Sequence, residues 1–207
     1  GGLQALLMAR HVPALYLPVG WDAVEADPGV REAVAEAARA GTRLVYLRAG
    51  DQVQLSENVC LTVLGPAAEG GAGDGAGSEA GDTARAGGGA GTTANAISLV
   101  VRITYGAGAA LLTGDLPGGA EPVRLASAQL LKAAHHGAAG STGEIMVRAV
   151  APSVAVISVG RNGYGHPAPA LLDRLARVGA QVYRTDQMGM VRAQIYADGA
   201  IEMETFL

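Results

Sequence analysis

The chain has 207 residues, with 15 Lys and Arg against 19 Asp and Glu and a formal net charge of −4. That balance excludes a free-standing nucleic-acid binder working through bulk positive charge, but not a metal site, where two divalent cations would cancel the deficit locally. Although 49% of residues are hydrophobic, no apolar run approaches the ~18 residues of a membrane span, and the single cysteine, Cys60, excludes an intrachain disulfide and a Cys-based zinc site.

The length suits one domain with a sizeable core, against a prior of about 100–200 residues per domain. The chain reads as soluble and without a signal peptide. It starts at Gly1-Gly2-Leu3 with no initiator methionine, which marks it as a piece of something longer. Cys60 reads as a small packed hydrophobe.

The opening residues 1–10 predict a helix start, with Leu3, Leu6 and Leu7 on one face. A short strand over 14–17 is closed by Pro18. Asp27 is placed to cap a helix whose first position is Pro28; Val30, Val34 and Ala37 recur on one face, and Gly41 ends it. Strands follow over 43–47, 52–55 and 59–64. Residues 67–94 are almost entirely Gly, Ala, Ser, Thr, Asp and Glu. Such a stretch buries too little apolar surface to offset its ordering entropy, so it is expected to be a flexible surface insertion.

Beyond it, a strand is expected over 97–104 with a hairpin partner over 109–113, then a short helix over 117–127 and a strand over 129–134. A helix over 142–150 stops at Ala151-Pro152. The β-branched run 153–159 predicts a strand, and 169–178 a helix capped by Gly179. Strands over 180–184, 190–196 and 201–206 close the chain, the last two joined by Asp198-Gly199, a strong hairpin signal. Strands alternating with helices, with hairpins in both halves, predict a mixed sheet covered by helices, an α/β layered fold.

Three buried runs empty into residues that can hold a metal or move a proton. Leu111-Leu112 leads to Thr113-Gly114-Asp115, the run 130–134 to His135-His136-Gly137, and the run 154–159 to a loop carrying His166. If these strands are parallel, their ends share the sheet edge where open α/β folds bind ligands. Each residue has a plainer alternative. Asp115 can cap the helix expected at 117. His135 and His136 can be surface residues of a loop; as neighbours they point in different directions, so one would ligate while the other supports it or meets a phosphate. His166, within Gly163-Tyr164-Gly165-His166-Pro167, can pack against Tyr164. His11 has no partner in the sequence and reads as structural. Without a G-x-S-x-G elbow a serine hydrolase is not indicated, and no phosphate-binding glycine motif follows a strand.

Five motifs occur in order: Asn95-Ala96-Ile97-Ser98-Leu99-Val100; Leu112-Thr113-Gly114-Asp115; His135-His136-Gly137; Ile157-Ser158-Val159-Gly160 leading to Gly165-His166-Pro167; and Val182-Tyr183-Arg184-Thr185-Asp186 with Gly189. Together they resemble the metallo-β-lactamase superfamily, and within it the soluble domain of the ComEC family of bacterial DNA-uptake channel proteins. The likeness covers 95–196 well and 1–64 weakly. Two departures stand out. The family's first metal motif, His-x-His-x-Asp-His, ordinarily precedes a Gly-Gly-Leu, and this chain begins there. Ala138 stands where the family commonly has Ser.

The resemblance implies an αββα sandwich of mixed sheets covered by helices, truncated at the N-terminus, forming a single domain over 1–207 interrupted by the insertion. It implies two divalent metal ions, Mn or Zn, in the complete domain. Asp115 looks like the carboxylate that bridges them and His136, favoured over His135, like the late His ligand. His166 looks like a phosphate contact or proton donor, with His135 beside it as a further catalytic residue. It implies DNA and the transmembrane channel of the same polypeptide as partners, no small-molecule cofactor, and a place at the bacterial cell membrane. The implied reaction is metal-dependent cleavage of the strand that is not imported. Alternatives are a non-catalytic module that guides DNA, or another hydrolase of the superfamily. The low aromatic content, 4%, offers few stacking platforms and weakens the guiding module. With its first motif absent, this piece is expected to bind metal poorly and to be inactive.

Overall fold

Strands buried on both faces read as continuous apolar runs, whereas half-buried ones alternate. The chain uses both kinds, and the continuous runs carry the site. A computed structural model describes residues 2–24, 27–66 and 93–207; apart from Thr93 and Ala94, the insertion expected at 67–94 lies outside them. In chain order the elements are α1 (Gly2–Ala9), β1 (Ala14–Pro18), α2 (Pro28–Arg39), β2 (Arg43–Leu47), β3 (Gln52–Ser56), β4 (Val59–Gly65), β5 (Val100–Tyr105) and β6 (Gly108–Leu112). They continue with β7 (Leu130–Lys132), α3 (Glu144–Val150), β8 (Val154–Ile157), α4 (Pro169–Arg177), β9 (Gln181–Arg184), α5 (Thr185–Met188), β10 (Met190–Ile195) and β11 (Ile201–Phe206).

A 7-stranded sheet in the order β3-β4-β5-β6-β7-β8-β9 forms the centre. Its first half, β3 to β6, is antiparallel. Its second half, β6 to β9, is parallel. The mixed α/β architecture expected from the element pattern is therefore the observed one. Two small sheets flank it, the parallel pair β1-β2 and the antiparallel hairpin β10-β11.

Side chains on a strand alternate between faces, and both faces of the parallel half are covered. Leu111, Leu131, Ala155 and Ile157, all fully buried, meet Met146 and Val147 of α3 and Leu171 and Leu175 of α4. The alternate residues Ala110, Leu130 and Val154 face Ile195, Ile201 and Met203 of the hairpin. One face thus carries helices and the other a second β layer. Burying a Leu or Ile of this kind contributes about 1.5–3 kcal/mol, so the parallel strands form the best-anchored part of the molecule.

Local chemistry sets the start of α2. The Asp27 carboxylate accepts the Val30 N–H at 3.2 Å, with Pro28 at the first helical position of α2. Three expectations need correction. No helix forms over 117–127. Pro117, Gly118, Gly119 and Pro122 interrupt helical continuity, and long-range bonds fix the segment instead. The Arg102 guanidinium donates to the Ser127 carbonyl at 3.1 and 2.9 Å, and Glu121 Oε1 accepts the Gly143 N–H at the start of α3 at 2.5 Å. The strand expected from Ile97 begins at Val100, because Ala94–Ile97 coils into a single helical turn started by the Thr93 side chain. The strand expected over 129–134 stops at Lys132, and the next residues turn sharply.

Candidate metal centre at the carboxyl ends of the parallel strands

Because β6, β7, β8 and β9 are parallel, their carboxyl ends share one edge of the sheet. Asp115 follows β6, His135 and His136 follow β7, the loop to His166 follows β8, and Asp186 follows β9. This is the crevice position at which open α/β sheets present functional groups.

Asp115 is placed by its backbone. Gly114 adopts φ +57, and a Cβ there would come within 3.0 Å of the Ser98 side chain. Ser98 Oγ accepts the Asp115 N–H at 3.2 Å, and the Gly114 carbonyl takes the Lys132 ammonium and the His135 N–H, each at 3.1 Å. With no helix at 117, the alternative role for Asp115 as its cap falls away. Lys132, the chain's single lysine, thus ties the Asp115 turn to β7. Burial pushes its pKa below the ordinary lysine value, and the Asp115 carboxylate opposes that shift.

The two histidines sit in a turn of unusual backbone. His135 and His136 have φ +48 and +54, followed by Gly137 at +87. Non-glycine residues held there cost of order 1–3 kcal/mol each, and such outliers cluster at functional sites. Buried bonds hold the turn: the Ala134 N–H donates to Thr142 Oγ1 at 2.9 Å, and the Gly137 carbonyl accepts the Ala168 N–H at 2.9 Å. Thr142→Val keeps shape and β-branching but leaves the buried Ala134 N–H unpaired. It should cost about 1–3 kcal/mol in urea denaturation, while Thr142→Ser, which keeps the hydroxyl, should cost less.

His136 Nδ1 lies 2.8 Å from the Ser158 carbonyl. A carbonyl oxygen can only accept, so Nδ1 carries the proton. Nε2 then points to Asp115 Oδ2 at 3.7 Å. A histidine whose far nitrogen is committed to a backbone carbonyl has the supporting bond typical of a metal ligand. Two donors about 2.1 Å from one ion at a tetrahedral angle stand about 3.4 Å apart, close to the observed separation. Both side chains are open, at 51% and 41% exposure, so an ion could reach them. The donor chemistry fits a divalent cation. Among the described residues no three His, Cys, Asp or Glu side chains converge on one point, and catalytic zinc sites take three protein ligands.

His135 lies near both other histidine rings of the site. Its ring centroid stands 6.4 Å from that of His136 and 6.0 Å from that of His166. His166 is held by Asn162, whose Oδ1 accepts the His166 and Tyr164 N–H groups at 3.0 and 3.1 Å and whose Nδ2 donates to the His166 and Gly160 carbonyls, each at 2.9 Å. The four sequence candidates therefore gather in one cluster, Asp115 beside His136 and the His135 ring near those of both His136 and His166. Asp186 is engaged otherwise. Arg184 binds it through two bonds of 3.0 and 2.6 Å, which lower the carboxyl pKa and raise that of the guanidinium. His11, exposed between α1 and β1, takes no part in these contacts.

Over 198 residues the chain is 32% identical to ComE operon protein 3 of Bacillus subtilis (strain 168), a match spanning 93% of this chain and 22% of that protein. It is 34% identical over 108 residues to Recombination protein 2 of Haemophilus influenzae, across 50% of this chain and 14% of that protein. It is likewise 34% identical over 105 residues to Competence protein ComA of Neisseria gonorrhoeae, across 47% of this chain and 15% of that protein. One of these relatives is thus named for competence and another for recombination. The chain spans about a fifth or less of their length. No protein-family model matches it.

The sequence assigned no supporting role to Ser98, Thr142, Ser158 or Asn162, although Ser98 and Ser158 stand within its motifs. Each acts through a backbone contact or on a backbone group, which sequence spacing does not report. Lys132 carried a signal as the one lysine, and Asn162 as a side chain able to close an Asx-type turn.

Proposed function

We propose that this chain is part of a ComEC-family DNA-uptake protein of the bacterial cell membrane, and that it forms one metallo-β-lactamase-like domain that hydrolyses phosphodiesters in the DNA strand that is not imported. The observation that carries this reading is the Asp115–His136 pair, with His136 turned by the Ser158 carbonyl so that Nε2 faces the carboxylate. Relatives named for recombination and for competence support DNA as the substrate. The transmembrane channel of the same polypeptide is the second partner.

Asp115 Oδ2 and His136 Nε2 would hold a divalent cation, Mn²⁺ or Zn²⁺, with Asp115 shared between two such ions in the complete domain. When bound, the ions supply Lewis-acid polarisation of the phosphodiester and a nucleophile at neutral pH. The chain's own residues do the rest. The Ser158 carbonyl fixes the His136 tautomer. Lys132, through the Gly114 carbonyl, holds the turn that presents Asp115 and sets a cation near its carboxylate. His166, pinned by Asn162, contacts the phosphate or gives a proton to the departing oxygen, and His135 shares that side of the site.

The test uses the full-length protein with end-labelled single-stranded and duplex DNA, with Mn²⁺, Mg²⁺ or Zn²⁺ in turn. The expected result is metal-dependent fragments that vanish with a chelator. Intact DNA with all three ions would overturn the nuclease in favour of a module that only guides the strand.

A further inference from the structure

Tyr164 is 85% exposed. Single exposed apolar side chains are ordinary, but this one is carried on an anchored support. The loop from Gly160 to His166 is closed by the four hydrogen bonds of Asn162, one of them taken directly from the Tyr164 N–H. The loop runs on into the core, where Pro167 and Ala168 are buried and the Ala168 N–H bonds the Gly137 carbonyl. The aromatic ring is therefore presented from a fixed base. Its centroid stands 5.9 Å from that of His166, with the planes tilted by 32°. That contact covers little of the ring, so packing against His166 does not account for its position. Arg161, also exposed, adds a positive charge on the same loop.

We propose that Tyr164 is a stacking platform for one nucleobase of a single-stranded DNA substrate, at the edge of the site beside His166. This rests on the reading of the site as one that handles DNA. A nucleotide whose phosphate meets His166 brings its base within reach of the Tyr164 ring. Stacking is indifferent to sequence because every base has a π face, which suits an activity that takes any strand. It also gives the site a preference for an unpaired strand, since bases within a duplex already stack on each other.

The experiment is fluorescence anisotropy without metal, so that no strand is cut. The 207-residue chain is titrated at low salt into a labelled oligothymidylate and into an abasic strand of the same length and charge. The parent should bind the oligothymidylate more tightly. Tyr164→Ala and Tyr164→Leu should weaken that binding by about 5- to 150-fold, the range of one base–aromatic stack, while leaving the abasic strand unaffected. Tyr164→Phe and Tyr164→Trp should bind like the parent. The ring is exposed, so all four variants should keep the parental melting temperature. The inference is overturned if the parent does not distinguish the two strands, if it binds neither, or if Tyr164→Ala binds like the parent. An equal loss for both strands overturns it too, by pointing to the backbone instead of the base. Each of these outcomes leaves metal-dependent cleavage by the full-length protein to stand or fall by its own assay.

Discussion

Asp115→Ala should lower metal-dependent DNA cleavage by the full-length protein by more than about 100-fold. Losing a group that only orients a ligand typically costs about 10–100-fold in metal affinity or activity, and losing a carboxylate that, on the proposed reading, would be shared by two cations should cost more, because their repulsion would be left uncompensated. The substitution should barely touch stability. The Asp115 side chain is 41% exposed and accepts no hydrogen bond among the described residues, while its backbone bond to Ser98 survives in the variant. Surface changes of this kind stay within about 0.5 kcal/mol. His136→Ala should raise the metal concentration needed, with excess ion restoring part of the rate. His166→Ala should lower turnover with metal content intact. Metal analysis, cleavage rates and thermal melts on the three variants separate these roles. An Asp115→Ala protein that cuts DNA at the parental rate with parental metal content would refute the site built around it.

Period and punctuation in the sequence carried the sheet. The uninterrupted runs around Leu111, Leu131 and Ala155 predicted buried strands, and the structure covers one of their faces with α3 and α4 and the other with β10 and β11. The Asp27-Pro28 cap and the Asp198-Gly199 hairpin were likewise readable, because a local bond or a turn geometry decides each. The failures lie where distant partners decide. Residues 117–127 have a plausible helical pattern, yet the segment is held by Arg102 and Glu121 across gaps of 25 and 22 residues. The site shows the same division. Strand order placed Asp115, His136 and His166 at one edge, but the turn of His136 toward Asp115 depends on three successive left-handed residues and on the Ser158 carbonyl. No spacing in the chain encodes that turn.

Gly137→Ala should destabilise the fold by about 2–5 kcal/mol, and two separable effects make up the loss. Gly137 has φ +87, a region that costs a residue with a Cβ about 1–2 kcal/mol. A Cβ there would also stand 2.7 Å from Pro167 Cβ, 3.0 Å from Pro167 Cα and 3.2 Å from Ile157 Cγ2. Neither neighbour can retreat easily, since Pro167 is a buried ring and Ile157 is fully enclosed beneath α4. Overpacking of this kind costs about 1–3 kcal/mol. Gly119 isolates the first effect: it has φ +85, and a methyl group added there would meet nothing within 4 Å. In urea denaturation Gly119→Ala should lose only the conformational part, so the difference between the variants measures the crowding. The crowding has a functional direction as well. It drives the Pro167 loop away from the histidine turn, and so widens the 6.0 Å separation of His135 and His166. Gly137→Ala in the full-length protein, assayed at a temperature where it remains folded, should therefore turn over more slowly than Gly119→Ala. Equal stability losses in the two variants would show that the loop yields to the methyl group, and that the close approach of Gly137 to Pro167 does not hold the two histidines together.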